Sequence, residues 1–261
     1  MELKFTNYEY KEKTLSFEIE KGTIYGITGQ NSLDFLEILS LNKLNKGILT
    51  INNEKITKDN INEYRRRISF ISQYIETSQH NILNIMIDHI KRHNLSIKNP
   101  IKKIKDSLRI VELDEEILSR NIETISSSEK KQFQLALSLL SNPDIIILDE
   151  PIKCLDKSNE KKLIMLLQRL KEQFSKTIII NSDDSNTLYK YTNKMIFIKN
   201  NEILMTGPTN ELYLRVDYLK RNKFNIPDIV EFTYIAKKKK QVKIDYHKDV
   251  RDIIKDIYKH I

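Results

Sequence analysis

The 261-residue chain contains no tryptophan, one cysteine, five glycines and five prolines. A lone thiol, Cys154, excludes an internal disulfide and a zinc site built on cysteines. No apolar run approaches the roughly 20 residues that a bilayer-crossing helix needs. The first ten residues hold no hydrophobic core of a secretory signal, so a cytoplasmic location is the expectation. Glycine is the most telling shortage, because a backbone that must approach a ligand closely usually needs it. Only Gly22, Gly26, Gly29, Gly47 and Gly207 are available. Hydrophobic residues at 39% and charged residues at 31% suit a water-soluble globular chain with a full core and one or two domains. The net charge of +8 would suit nucleic acid or an anionic surface. However, the lysine run 237–240 has no interleaved aromatics of the kind that stack bases. It reads as a solvated helix end, and no nucleic acid is expected.

What is present is organised around Asp144-Ile145-Ile146-Ile147-Leu148-Asp149-Glu150-Pro151. Four apolar residues, three of them β-branched, suit a strand buried on both faces, as in a parallel sheet. Such sheets bind ligands beyond the carboxyl ends of their strands. Asp149 and Glu150 stand at that point. There, one carboxylate can hold Mg²⁺ and a second can orient a water. The plain alternative is a strand followed by a helix cap.

The rest of the chain alternates in the same way. Leu3 and Phe5, then Leu15, Phe17 and Ile19, predict two strands with Tyr10 at the turn between them. Thr23–Thr28 predicts a short strand running into Gly29-Gln30-Asn31-Ser32-Leu33-Asp34-Phe35-Leu36 and a helix. Ile48–Ile51 followed by Asn52-Asn53 reads as a strand and hairpin turn. Ile68–Ile71 is a strand ending at Ser72-Gln73. Residues 74–125 read as mainly helical, with a loop near Asn99-Pro100. Ser126 with Glu129 three residues on is a capping box opening a helix to about Leu140. Helix 157–174 leads to strand Thr177–Ile180 and then Asn181-Ser182-Asp183-Asp184. Met195–Ile198 and Glu202–Met205 form a hairpin across Asn200-Asn201, closed by Gly207-Pro208. Pro227 suits the first position of a helix. Val250, Ile253, Ile254, Ile257, Tyr258 and Ile261 make one apolar stripe that must pack on the main body or on another chain.

In this order the pieces resemble an ABC-transporter ATPase over essentially the whole chain. Gly29–Leu36 occupies the phosphate-loop slot, Gln73 the Q-loop, and Ser126, Ser127, Ser128 and Glu129 the signature. Asp149 and Glu150 match the Walker B pair, and Cys154-Leu155-Asp156 the D-loop. The tail from Leu212, with Asn225-Ile226-Pro227, is similar to the C-terminal extension of energy-coupling-factor ATPases. The resemblance implies an α/β P-loop NTPase fold with an antiparallel β subdomain and a helical subdomain over about 74–140. It divides the chain into a nucleotide-binding domain, 1–210, and a helical dimerisation or packing extension, 211–261. It also implies ATP and Mg²⁺, with adenine stacked on Tyr10 and the metal near Gln73 and Asp149. Asp183 falls where the family places its switch histidine.

A working phosphate loop reads GxxxxGK[ST], in which the lysine neutralises phosphate charge and the hydroxyl binds Mg²⁺. Here Asp34 replaces the second glycine, Phe35 the lysine and Leu36 the hydroxyl residue. A carboxylate beside a triphosphate repels it, and each lost charge-assisted hydrogen bond removes roughly 1.5–3 kcal/mol. The stretch then reads as an ordinary strand–turn–helix connection with Asn31 and Ser32 as turn and capping residues. Ser127 and Ser128 place Cβ atoms where the family has glycines. Asp183 cannot act as an imidazole. The expectation is a degenerate ATPase-type subunit of a membrane importer, on the inner face of the cell membrane. It would pair with a competent ATPase subunit and with transmembrane subunits contacted through the residues between Gln73 and His80-Asn81-Ile82. The alternatives are a soluble binding or regulatory module on the same fold, and an active ATPase homodimer.

Overall fold

A computed structural model describes residues 1–42, 44–73, 81–153, 155–240 and 244–259. The expectations that fall on Cys154, His80, Ile261 and the stretch 74–80 lie outside the described residues. The chain runs through β1 (Leu3–Tyr10), β2 (Lys13–Ile19), β3 (Ile24–Gly29), α1 (Ser32–Leu39), β4 (Ile48–Ile51), β5 (Glu54–Lys55), α2 (Ile61–Arg65) and β6 (Ile68–Ile71). Then come α3 (Ile82–Arg92), α4 (Pro100–Ile110), two short 3₁₀ turns, α5 (Ser127–Leu139), β7 (Ile145–Asp149), α6 (Lys157–Phe174), β8 (Thr177–Asn181) and α7 (Ser185–Tyr191). A hairpin of β9 (Lys194–Lys199) and β10 (Glu202–Pro208) leads to α8 (Thr209–Tyr213), α9 (Val216–Arg221), α10 (Asp228–Lys240) and α11 (Val250–Lys259).

The strands form an antiparallel sheet, β2-β1-β4-β5, and a larger sheet, β10-β9-β3-β8-β7-β6, parallel except at β10. The isoleucine-rich strands divide their side chains between two cores. Ile145, Ile147, Ile179, Ile196 and Ile198 face the antiparallel sheet and α1. Ile146, Leu148, Ile178, Ile180 and Phe197 face the helices. This alternation is why the run reads as continuously apolar: both faces are covered. The helices over 82–139 share the second core with the sheet through Met86, Leu108, Phe133 and Ala136.

Local signals explain most boundaries. Asn52 and Asn53, and Asn200 and Asn201, all take positive φ in tight hairpin turns, where asparagine tolerates the left-handed region. Asn99 caps α4 by accepting from the Lys102 amide, with Pro100 in the first turn. Two expectations need correction. Gly207 and Pro208 do not close the hairpin; they extend β10, pairing with Met195 and Lys194. β10 is an edge strand, where a residue without an N–H is tolerated. Pro227 precedes α10 instead of opening it, its carbonyl accepting from the Val230 and Glu231 amides. The C-terminal stripe is only partly packed: Ile253 is 3% exposed, but Val250, Ile254 and Tyr258 are exposed.

Candidate functional site

β3 passes straight into α1 after Gln30 and Asn31. Asn31 takes the left-handed conformation (φ 64°), and its side chain bonds Asn201 at 2.9 Å rather than capping the helix. Ser32 already begins the helix, so Leu33 to Leu36 are wound into its first turns. The Phe35 amide donates to the Asn31 carbonyl at 3.3 Å. Phe35 and Leu36 are both fully buried. The Phe35 ring lies 5.1 Å from Phe17 and edge-on to Tyr10 at 6.3 Å. Burying such a side chain stabilises by ~1.5–3 kcal/mol, so this position contributes to the core between the two sheets. Asp34 pairs with Lys11 at the half-exposed rim.

Tyr10, expected as a stacking platform, is itself part of that core. It is 5% exposed, and its hydroxyl, without a hydrogen-bond partner, is pushed up to about 12 by burial and by the Asp34 and Glu37 charges. Gly29 sits at φ 119°. A Cβ there would stand 2.0 Å from the Ile198 carbonyl oxygen and 2.8 Å from Cε1 of Phe224. Its glycine identity is therefore required by packing, whatever else it does.

At the end of β7 the Asp149 carboxylate accepts from the Asn181 amide at 2.7 Å. Glu150 adopts φ 45°, a left-handed conformation that costs a non-glycine residue about 1–3 kcal/mol. One Glu150 oxygen accepts from the Ser182 hydroxyl and the other from the Asp183 N–H, each at 3.0 Å. Burial raises the Glu150 carboxyl above its ordinary range, with those two hydrogen bonds opposing and the neighbouring Asp183 and Asp149 charges adding to the rise. Asp183 directs its own carbonyl to the Asn225 side chain at 3.0 Å.

Gln73 lies two residues beyond β6, its carbonyl accepting from the Lys131 ammonium at 2.9 Å. Farther along the chain, Ser126 caps α5 in a complete capping box: its hydroxyl accepts from the Glu129 amide at 3.2 Å and the Glu129 carboxylate accepts from its N–H at 2.8 Å. That backbone hydrogen bond, with help from Arg120, holds Glu129 below the usual carboxylate range. Ser126 and Ser127 are exposed at the helix start, with Ser128 half-buried behind them. Asp156 caps α6 through the Ser158 and Asn159 amides, both at 2.9 Å.

A family model described as ABC transporter matches residues 13–153. The chain belongs to the ABC transporter family. That match spans the loop at Gly29–Leu36, Gln73, the α5 cap and the Asp149–Glu150 pair; Asp183 and the tail lie beyond it. Curated relatives cover nearly the whole length. The energy-coupling factor transporter ATP-binding protein EcfA3 of Oenococcus oeni is 25% identical over 95% of this chain and 89% of its own. EcfA2 of Acetivibrio thermocellus is 25% identical over 92% of this chain and 86% of its own, and EcfA2 of Staphylococcus aureus (strain MRSA252) is 26% identical over 92% and 88%. Among solved structures, cbiO1 from Clostridium perfringens, part of the ABC transporter complex cbiONQ, superposes with a TM-score of 0.72 at 20% identity, covering 89% of this chain and 98% of that one. The ATP-binding cassette MJ0796 bound to ADP and Pi gives 0.66 at 22% identity, covering 79% and 98%. These likenesses establish the ABC ATPase fold.

ABC ATPases as a family bind ATP and Mg²⁺, yet this member's own residues fit the metal poorly. The hydroxyl slot holds buried Leu36, and Asp149 is already hydrogen-bonded to an amide. Among the described residues no group of three or more His, Cys, Asp or Glu side chains could hold a metal ion. Several residues that shape the site escaped the sequence reading: Lys11, Asn181, Ser182, Phe224 and the side chain of Asn225. Asn181 carried a signal, being a polar residue that ends a run of isoleucines beside the acidic pair. Lys11 and Phe224 carried none, because they meet the loop only through the folding of distant segments.

Proposed function

We propose that this chain is the ATP-binding-type subunit of a membrane importer of the energy-coupling-factor kind, catalytically degenerate at its own phosphate loop and paired with a competent ATPase subunit. The observation that carries the reading is the burial of Phe35 and Leu36 inside the core, where a working loop needs an exposed lysine and a Mg²⁺-binding hydroxyl. The relatives' names, energy-coupling factor transporter ATP-binding proteins, support the transporter setting. No helix among the described residues is long and apolar enough to cross a membrane. Attachment to the inner face of the cell membrane, in this reading, runs through transmembrane subunits. In this reading residues 1–210 are the cassette, and 211–261 are the extension that packs on the cassette and on the partner.

The working nucleotide site uses the partner's phosphate loop and this chain's signature helix. The Ser126 hydroxyl accepts from Glu129 within the cap but keeps its O–H proton to donate. Together with the positive end of α5, that proton stabilises phosphate charge. This chain's Tyr10, Asp34 and Asp183 take no part in holding nucleotide. The test has two arms. Affinity purification from native membranes should recover an intact ATPase subunit and a polytopic protein in stoichiometric amounts. The isolated chain should release no phosphate from ATP–Mg²⁺, against turnover of about one per second or faster for ordinary enzymes of this class. Recovery of the chain alone from the soluble fraction would favour a regulatory module on this fold, and turnover by the pure chain would favour an active homodimer.

A further inference from the structure

The switch segment and the C-terminal extension meet through an unbroken set of contacts that starts at the Walker B pair. The Glu150 amide donates to the Asn181 carbonyl at 2.9 Å, and the Asn181 side chain holds Asp149. The Ser182 amide donates to the Ile27 carbonyl at 3.1 Å, fixing the start of the segment on the loop strand. Both Glu150 oxygens then receive donors from Ser182 and Asp183. Asp183 in turn accepts from Asn225, and Asn186 and Asp228 bond each other twice, at 2.8 and 3.0 Å. Phe224 completes the seam from the other side, packing on Phe197 with ring centroids 5.0 Å apart and filling the space against Gly29.

We infer that Gly29, Asp183 and Asn186 form a docking seat for the C-terminal extension, and that this seat, tied to Asp149 and Glu150 through residues 181–183, locks the switch segment in one conformation without nucleotide. The inference rests on the reading that this chain's own loop is without nucleotide. The physical reason lies in the donors. A switch segment that answers to a γ-phosphate needs contacts that form only when phosphate is present. Here Glu150 receives protein donors on both carboxylate oxygens and Asp149 receives one from Asn181, while Asp183 is held through its backbone N–H and carbonyl. The left-handed backbone at Glu150 is unfavourable for a residue with a Cβ and persists because the surrounding bonds define it. Ser182 reinforces the arrangement, since its hydroxyl both donates to Glu150 and accepts from the Asp184 amide at 3.2 Å. Asn225 is exposed, so its bond to Asp183 is a surface latch that can be removed without opening the core.

The test is amide hydrogen exchange on the full chain, read by mass spectrometry over residues 181–187, with tryptic cleavage at Lys223 as a second readout. Glu150→Ala should raise exchange at the Asp183 amide at least tenfold, whereas Glu150→Gln, which keeps an acceptor for that amide, should stay within about threefold of the parent. Asn225→Ala, a surface change that leaves the core untouched, should speed cleavage at Lys223 at least fivefold. Addition of ATP–Mg²⁺ at millimolar concentration should change neither readout. If Glu150→Ala and Asn225→Ala both leave exchange and cleavage at the parent rates, the lock is refuted. Nucleotide-induced protection over residues 29–36 refutes the degenerate-loop reading instead, and with it the lock.

Discussion

Phe224, from the connection between α9 and α10, rests against Gly29 at the end of β3, so close that a methyl group on residue 29 would overlap its Cε1 at 2.8 Å. One glycine thus joins the turn between β3 and α1 to the C-terminal extension.

The first consequence is that Gly29→Ala is a stability change. The new Cβ meets a backbone carbonyl at 2.0 Å and a φ of 119° that alanine avoids. The loss expected is ~3–5 kcal/mol, at the high end for a single substitution. Urea denaturation of parent and variant measures it; a loss below about 1 kcal/mol would mean that the backbone shifts freely there and that Gly29 is not fixed by packing.

Restoring the family's lysine should not restore function. Phe35→Lys places an ammonium among Tyr10, Phe17 and the two sheets. An unpaired charge and a lost aromatic together predict a loss of about 3–5 kcal/mol. Thermal melting should fall accordingly, with no ATP binding gained by fluorescence titration. A stable variant that bound ATP would show that α1 can unwind into a working loop.

How much of this was legible in the sequence depends on where each cause lies. The two-faced strands, the asparagine turns and the Ser126–Glu129 cap are local patterns, and each formed where the pattern placed it. The residue types at Asp34, Phe35 and Leu36 were equally plain, but where their side chains go was not. The burial of Phe35 against Tyr10 and Phe17 depends on how the antiparallel sheet covers α1. The bonds from Asn181 to Asp149 and from Asn225 to Asp183 join residues 32 and 42 positions apart. Spacing rules describe single elements and carry no information on such meetings.

Acid should destabilise the chain through α3. His89 is mostly buried, lies tilted against His93 with ring centroids 4.3 Å apart, and is pushed down to about 4, chiefly by desolvation with the His93 and Arg92 charges adding. Its folded value lies below its unfolded value, so the unfolded chain binds more protons between them. The stability associated with neutral His89 is present above about 6.5 and is lost as pH falls toward 4. Melting temperatures measured from pH 7.5 to 4 should drop less steeply in His89→Gln; equal slopes would remove His89 from the account.

The C-terminal helix separates intrachain packing from assembly. Ile253 is buried, so Ile253→Asp should destabilise the isolated chain by a few kcal/mol. Ile254 is 46% exposed, so Ile254→Asp should leave the isolated chain within ~0.5 kcal/mol of the parent while weakening recovery of the partner subunit. Denaturation curves and pull-down yields decide this; equal destabilisation by both would place the whole stripe inside the chain.

The central claim is that this chain serves a nucleotide held by its partner and not one of its own. The most direct measurement is the ATPase rate of the complex recovered from native membranes, with Ser126→Arg compared against Asp149→Asn in folded, fully assembled preparations. The account predicts that Ser126→Arg, which adds bulk and obstructs the α5 N-terminus, lowers the rate at least tenfold, while Asp149→Asn leaves it within about twofold of the parent. A larger loss with Asp149→Asn than with Ser126→Arg would mean that this chain's own site turns over, and would contradict the account.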